Sequence, residues 1–276
     1  MSDRKVPIAA VLGAPVAHSR SPKLFRHWLN QYGIEGHYVP LHVEQADLPQ
    51  VLQALPAMGF VGCNVTIPHK EKVLELADVI TDRAALIGAA NTVTFRDGKV
   101  FADNTDGHGF VANLRQGAPG WEPKSGAAAV LGAGGAARAV IHSLLELGVL
   151  NIRLANRSRP RAEALRNEFG PKITVYDWVK ASDMFEGAAT VVNTTSLGME
   201  GKAPFKVPLD TLEPTAVVGD LVYTPLKTDF LQVAEGLGCQ VVDGLGMLLH
   251  QAVPGFERWF GVEPAVEAAT RDAVLS

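Results

Sequence analysis

The sequence predicts an α/β chain of two domains, each built on a sheet with crossover helices. Three observations carry this. The chain has 276 residues, more than one such domain needs. The stretch Ala129–Ala139, AVLGAGGAARA, runs from a small apolar segment through Gly132-Ala133-Gly134-Gly135-Ala136-Ala137 into a helical pattern carried by Val140, Leu144, Leu145 and Leu147. Before it, apolar strand-like runs alternate with amphipathic stretches, the β-α-β-α-β pattern of a parallel or mixed sheet.

Taken in order, Pro7–Gly13 is a short apolar strand that enters a polar loop, Ala14 to Pro22. Leu24, Trp28 and Leu29 then share one helical face, with Ser21 placed as N-cap and Pro22 at the first helical position. That accounts for Ser21 and Pro22 but not for Ser19; two hydroxyls at the carboxyl end of a strand can also bind a carboxylate or polyol. Tyr38–Val43 is a second strand, Gln45–Met58 a helix, and Gly62–Pro68 a third strand. Thr66 lies at its carboxyl end, and His69-Lys70 are expected to open another helix. On sequence alone Lys70 reads first as a solvated helix lysine, the commonest fate of lysine, and only second as a functional one. Asn91–Phe95 and Val100–Ala102 flank Arg96-Asp97-Gly98-Lys99, a hairpin turn. Asp103-Asn104-Thr105-Asp106 precedes a helix over Gly107–Gln116, so Asp106 fits either an N-cap or the lip of a site.

The domain change falls in the region Asp106–Ser125. After the glycine turn come strands Asn151–Ala155, Thr190–Asn193, Ala216–Val222 and Cys239–Val242, with a proline-rich loop over Ala203–Leu209. A long apolar helix opens near Asp243-Gly244-Leu245, and Gln251 within it is an amide that needs partners if buried. A terminal helix is expected over Val262–Val274.

Composition narrows the function classes. A net charge of −4 with no strongly basic run argues against a nucleic-acid partner. Two distant cysteines, Cys63 and Cys239, are no disulfide framework and fit a reducing cytoplasm. No signal-peptide pattern and no run of membrane-spanning length is present. The histidines and cysteines show no ligand spacing that calls for a metal.

The glycine turn fits the G-x-G-x-x-A form of the dinucleotide fingerprint. Gly132 permits the tight turn, Gly134 lets backbone approach a pyrophosphate, and Ala137 lets the helix pack close to its strand. The helix N-terminus offers free N–H groups and partial positive charge to phosphates. The next strand ends in Asn156-Arg157-Ser158, where an NAD site usually carries a carboxylate for the ribose 2′-OH. Arg157, with Arg161 one turn on, can instead pair with a 2′-phosphate, so NADP is expected over NAD.

Several motifs in joint order carry a resemblance along nearly the whole chain: His18-Ser19-Arg20-Ser21-Pro22, Asn64-Val65-Thr66-Ile67-Pro68-His69-Lys70, Gly88-Ala89-Ala90-Asn91-Thr92, Asp103-Asn104-Thr105-Asp106-Gly107, the glycine turn, Asn156-Arg157-Ser158, Asp220-Leu221-Val222-Tyr223-Thr224-Pro225 and Asp243-Gly244-Leu245-Gly246-Met247. In these the chain resembles the shikimate dehydrogenase family. Ser158 departs from it, standing where threonine is common, but keeps the hydroxyl. The resemblance implies an N-terminal α/β substrate-binding domain over 1–106, completed by C-terminal helices over 244–276. It implies a Rossmann-like NADP-binding domain over 107–243, with an interdomain cleft. The implied reaction is the reversible NADPH-dependent reduction of 3-dehydroshikimate to shikimate, in the chorismate route to aromatic amino acids.

Position by position, the resemblance makes Lys70 and Asp106 the catalytic pair. It places Ser19, Ser21, Thr66, Asn91, Tyr223 and Gln251 on the substrate. It places Gly132, Ala133, Gly134, Gly135, Ala136, Asn156, Arg157, Arg161, Leu221, Gly244 and Met247 on the cofactor. The chemistry agrees: hydride addition to a ketone leaves negative charge on oxygen, and a positioned ammonium stabilises it and supplies the proton. No metal is required, because the nicotinamide carries the hydride. A monomer or homodimer is expected. Two alternatives remain: a quinate/shikimate dehydrogenase using NAD, and a non-catalytic nucleotide-binding regulator. Arg157 in place of an acid, and Ser21 where a quinate user would carry threonine, weigh against the first. The Lys70–Asp106 pair weighs against the second.

Overall fold

The computed structural model describes residues 6–276. The chain divides into two compact units, Met1–Asp106 with Leu248–Ser276, and Gly107–Met247.

The first unit contains β1 (Ile8–Gly13), α1 (Ser21–Gln31), β2 (His37–His42), α2 (Leu48–Ala54), β3 (Phe60–Val65), α3 (Lys72–Leu76), β4 (Val79–Ile80), α4 (Asp82–Ile87), β5 (Thr92–Arg96) and β6 (Lys99–Asp103). They form one mixed sheet, ordered β2-β1-β3-β5-β6-β4. β1 pairs in parallel with β2 and β3, while β3–β5 and β5–β6 are antiparallel. Arg96 pairs with Lys99 across a two-residue turn in which Asp97 and Gly98 take φ of 54° and 71°, the positive values such hairpins require.

Four local expectations are corrected here. Ser21 is not an N-cap: α1 starts on it, Arg20 holds the cap position, and no side chain caps the helix. The second helix covers only Leu48–Ala54, because Pro49 suits only a first turn and Pro56 has no N–H to extend the ladder. β3 ends at Val65 rather than Pro68; the chain turns there, with His69 N–H donating to the Thr66 carbonyl at 2.9 Å. Lys70 therefore lies in a turn ahead of α3 rather than opening a helix.

The second unit contains most of α5 (Asp106–Gly117), then β7 (Ala127–Leu131), α6 (Gly135–Glu146), β8 (Ile152–Ala155), α7 (Arg159–Phe169), β9 (Ile173–Tyr176), β10 (Ala188–Asn193), β11 (Val217–Asp220), α8 (Asp229–Gly236) and β12 (Gln240–Val242). Every strand pair is parallel and the order is β12-β11-β10-β7-β8-β9. Counted within this unit, that is the 3-2-1-4-5-6 order of a doubly wound dinucleotide fold. β7 is apolar throughout because both its faces are buried. Ala128 and Val130 pack with Ala137, Val140 and Leu144, and Ala129 and Leu131 pack with Val191, Phe185 and Phe230. β11 stops at Asp220, short of Val222, because the Asp220 carboxylate turns back to accept the Val222 N–H.

α9 (Leu245–Phe260) and α10 (Ala268–Leu275) follow. The terminal helix is shorter than expected because residues ahead of it are used otherwise. The Ala265 carbonyl accepts from Trp28 Nε1 at 3.2 Å, and its N–H donates to the Tyr32 hydroxyl at 3.0 Å. Phe256, Trp259 and Phe260 of α9 interleave with Phe25, Trp28, Tyr32 and Tyr38 from the start of the chain. Trp259 lies so close to β3 that a Cβ on Gly62 would fall 2.0 Å from its Nε1. The C-terminal segment is thus part of the first unit's core. Among the described residues, no helix is long and apolar enough to cross a membrane.

Candidate active site

The first unit gathers polar side chains at the carboxyl end of β3 and the entry to α5. Lys70 Nζ lies 2.6 Å from Asp106 Oδ2, with 19% of the lysine side chain and 1% of the aspartate side chain exposed. The other carboxylate oxygen accepts from Asn91 Nδ2 at 2.8 Å. Asn91 is itself fixed, its Oδ1 accepting from Thr105 N–H at 2.8 Å and from the Thr92 hydroxyl at 3.0 Å. Asn104 Oδ1 accepts from Asp106 N–H at 3.0 Å, so the amide next door holds the helix entry while Asp106 is spent on Lys70 and Asn91. The lysine backbone is anchored too: its carbonyl accepts from Ala90 N–H at 2.7 Å. An ammonium with part of its surface open and its counter-ion buried is set to meet a ligand oxygen.

The remaining substrate-side residues fall into four groups. Ser19 and Ser21 are neighbours, the Ser19 hydroxyl accepting from Ser21 N–H at 3.3 Å. Thr66 sits in the turn before Lys70, its methyl against Gly13, where a Cβ would come within 2.5 Å. Gln251 joins the cluster through its backbone, its carbonyl accepting from the Thr105 hydroxyl at 2.8 Å. Tyr223 belongs to the second unit. His69 is fully buried with Nε2 2.8 Å from the Val43 carbonyl, which makes it part of the turn's framework rather than a proton carrier. His18 is exposed in its loop.

Sequence reasoning assigned no role to Thr105, Asn104, Asn64 or Tyr38. The Tyr38 hydroxyl donates to Asn64 Oδ1 at 2.7 Å, and Asn64 Nδ2 reaches the Asn91 carbonyl at 3.1 Å. Burial pushes the Tyr38 phenol well up, reinforced by Cys63 and opposed by a hydrogen bond with Ser21. Asn104 and Thr105 were legible only as neighbours of Asp106. Tyr38 carried no signal beyond its place in a strand.

The second unit supplies the glycine turn. Gly132 takes φ of 111°, and a Cβ there would lie 2.5 Å from Thr194 Oγ1. Gly134 is the N-cap of α6 with nothing within 4 Å of a Cβ position, so its backbone is open to a ligand. Ala133, Gly135 and Ala136 are half-buried around it, and Ala137 is fully buried in the core. Gly132 N–H donates to the Ala155 carbonyl at 2.8 Å, which sets the turn beside the end of β8. There Asn156 Nδ2 donates to the Ser158 carbonyl at 2.9 Å. Arg157 and Arg161 are exposed, while Arg159 is engaged by Asp177 and Glu163. Leu221 N–H donates to the Asn193 carbonyl at 3.0 Å, and a Cβ on Gly244 would fall 2.4 Å from the Leu221 carbonyl oxygen. Met247 is buried in the core, only 6% exposed. An open glycine backbone at a helix start, at the switch between β7 and β10, with Arg157 and no acid in the Asn156-Arg157-Ser158 run, fits a dinucleotide bearing a 2′-phosphate. Among the described residues no group of three His, Cys, Asp or Glu is arranged to hold a metal.

A lysine paired with a buried carboxylate on one α/β unit and a dinucleotide turn on the other define the class: a nucleotide-dependent oxidoreductase. Residues 11–93 match the family described as shikimate dehydrogenase substrate binding domain, 120–198 shikimate/quinate 5-dehydrogenase, and 244–275 the shikimate 5′-dehydrogenase C-terminal domain. A protein of Cereibacter sphaeroides named shikimate dehydrogenase (NADP(+)) is 67% identical over 99% of this chain and 98% of its own length. Shikimate 5-dehydrogenase of Thermus thermophilus, solved with NADP(H) and shikimate, superposes with a TM-score of 0.88 at 37% identity, covering 98% of this chain and 99% of that one. Quinate dehydrogenase of Corynebacterium glutamicum, solved with NAD, gives 0.90 at 31% identity, with 98% and 99% covered. The chain belongs to the shikimate dehydrogenase family.

Proposed function

We infer that this chain catalyses the reversible NADPH-dependent reduction of 3-dehydroshikimate to shikimate. The observation that carries the reading is the Lys70–Asp106 pair, 2.6 Å apart with the carboxylate buried. Relatives named for shikimate and NADP support the substrate and the cofactor. When bound, the dihydronicotinamide supplies the hydride to the carbonyl carbon. Lys70 Nζ donates a hydrogen bond to the carbonyl oxygen and passes its proton there as the hydroxyl forms. In the oxidative direction the neutral amine takes that proton back. Asp106 holds the ammonium through Oδ2 and is itself held by Asn91, so the lysine needs little reorganisation as charge develops.

Ser19, Ser21, Thr66, Asn91 and Gln251, with Tyr223 from the second unit, are assigned to the substrate carboxylate and hydroxyls. Gly132 to Ala136, Asn156, Leu221, Gly244 and Met247 are assigned to the dinucleotide, with Arg157 and Arg161 on its 2′-phosphate. The domain assignment follows: substrate on 1–106 with the C-terminal helices, nucleotide on 107–243. Two free, buried cysteines support a cytoplasmic location. The test is a spectrophotometric assay of the purified chain with shikimate or quinate and with NADP or NAD. Turnover is expected with shikimate and NADP; a higher kcat/KM with quinate and NAD would sink the reading.

A further inference from the structure

Asp220, at the end of β11, is buried to 1% exposure and takes no part in the chemistry described above. Its Oδ1 accepts from Val222 N–H at 3.0 Å and from Asn193 Nδ2 at 2.9 Å, and its Oδ2 accepts from the Thr228 hydroxyl at 2.6 Å. All three partners are neutral donors. Burial pushes the carboxyl up to about 6, against the hydrogen bonds from Thr228, Val222 and Asn193 that lower it. An uncompensated buried carboxylate is costly, so what it contributes lies in the geometry it enforces.

That geometry concerns two loops. Asn193, at the end of β10, faces the other way as well: its Oδ1 accepts from Thr195 N–H at 3.0 Å and from the Thr195 hydroxyl at 2.7 Å. Thr195 Oγ1 in turn accepts from Leu197 N–H at 3.0 Å. The neighbouring Thr194 hydroxyl donates to the Leu131 carbonyl at 2.7 Å and crowds Gly132, the first glycine of the dinucleotide turn. On the other side, Val222 N–H fixes the chain between Leu221 and Tyr223, and the Val222 carbonyl accepts from Gly244 N–H at 3.3 Å. One carboxylate therefore ties together the loops after β10 and β11, which lie side by side at the carboxyl edge of the sheet, the first of them next to the glycine turn.

We propose that Asp220, acting with Asn193, is a positioning residue for the dinucleotide, setting the loops 194–197 and 221–223 against the glycine turn. This rests on the assignment of that turn to NADP(H). Asp220→Ala removes the acceptor from three buried donors and releases both loops. Asp220→Asn keeps an oxygen for Asn193 and Val222 and reverses the Thr228 bond, its amide donating where the carboxylate accepted.

The experiment measures NADPH binding by nicotinamide fluorescence and shikimate binding by calorimetry without nucleotide, on the full chain and each variant. Asp220→Ala is expected to weaken NADPH about tenfold while shikimate stays within about twofold, and Asp220→Asn to stay within about threefold of the parent for both. Unchanged NADPH affinity in Asp220→Ala, or an equal loss of both ligands, overturns the proposal. Should Asp220→Ala fail to fold, Thr195→Val decides, since at a half-buried position it removes the hydroxyl that donates to Asn193 Oδ1 and accepts from Leu197 N–H, leaving only the backbone N–H bond to Asn193. It is expected to weaken NADPH about threefold, and no change overturns the proposal. A parent chain that binds shikimate but not NADPH fails at the earlier step, the assignment of the glycine turn.

Discussion

Arg258 reaches back 155 positions to Asp103, its Nη2 lying 2.6 Å from the carboxylate Oδ2. Arg83 meets the same carboxylate with Nη2 at 2.7 and 2.9 Å from its two oxygens, and the Thr81 hydroxyl donates to Oδ1 at 2.8 Å. Burial alone would raise the Asp103 carboxyl; the bonds from Arg83, Arg258 and Thr81 outweigh it and hold the group below the usual range. A depressed folded value stabilises the native state above the unfolded value and is lost as pH falls through the folded one. The thermal midpoint is therefore expected to fall on acidification below about pH 4. Asp103→Asn should flatten that limb and cost about 2–3 kcal/mol at neutral pH. A melting curve for Asp103→Asn that follows the parent across this range would refute the assignment.

Asp220 has the opposite sign. Its folded value of about 6 exceeds the ordinary 3.8, so its contribution is fully present below 3.8 and is lost as pH rises through 6. Asp220→Asn mimics the protonated form. Its thermal midpoint relative to the parent should rise between pH 4 and pH 7 by the equivalent of about 2–3 kcal/mol, while the altered Thr228 bond shifts the whole curve by about 1 kcal/mol without changing that rise. A difference that stays flat with pH would show that the carboxyl does not titrate in this window.

Lys70→Ala should lower kcat by about 10²–10⁴-fold while changing the KM for shikimate little, because the ammonium acts mainly on charge that develops in the transition state. Stopped-flow single turnovers separate that step from product release. A variant with near-parental kcat removes Lys70 from the proton path.

Arg157→Ala should raise the KM for NADPH about tenfold and leave that for NADH nearly unchanged, since only the former carries a 2′-phosphate. The side chain is exposed, so the discrimination should shrink as salt rises. Steady-state kinetics with both nucleotides at two ionic strengths reads both effects; equal losses for the two would point to a general loosening of the β8 end.

Much of the fold was legible because period and punctuation agree. β7 reads as a buried strand from an unbroken apolar run, and the structure buries both its faces. The hairpin at Asp97-Gly98 follows from residues that tolerate positive φ. What failed was local: Ser21 looks like a cap because serine usually is one, yet here Arg20 holds that position. β9 went unread, since four residues, Ile173–Tyr176, carry too little periodicity. At the candidate site, Lys70 and Asp106 are 36 positions apart, and no spacing rule brings them together; the antiparallel return of β5 and β6 does. Thr105 and Asn104 stood in the motif around Asp106 but received no individual role, because what they do is hold neighbours, which leaves no pattern in the sequence.

The aromatic interleaving of α9 with α1 and β2 has a consequence for biosynthesis. On the ribosome the β2-β1-β3 strands emerge before the nucleotide unit, but Phe256 and Trp259, which pack against Phe25 and Tyr38, emerge only after it. The nucleotide unit is one uninterrupted stretch and can close while its neighbour still waits. The half of the protein translated first is thus finished second, and a nascent chain stalled before residue 256 would leave Phe25, Trp28 and Tyr38 uncovered for chaperones to shield.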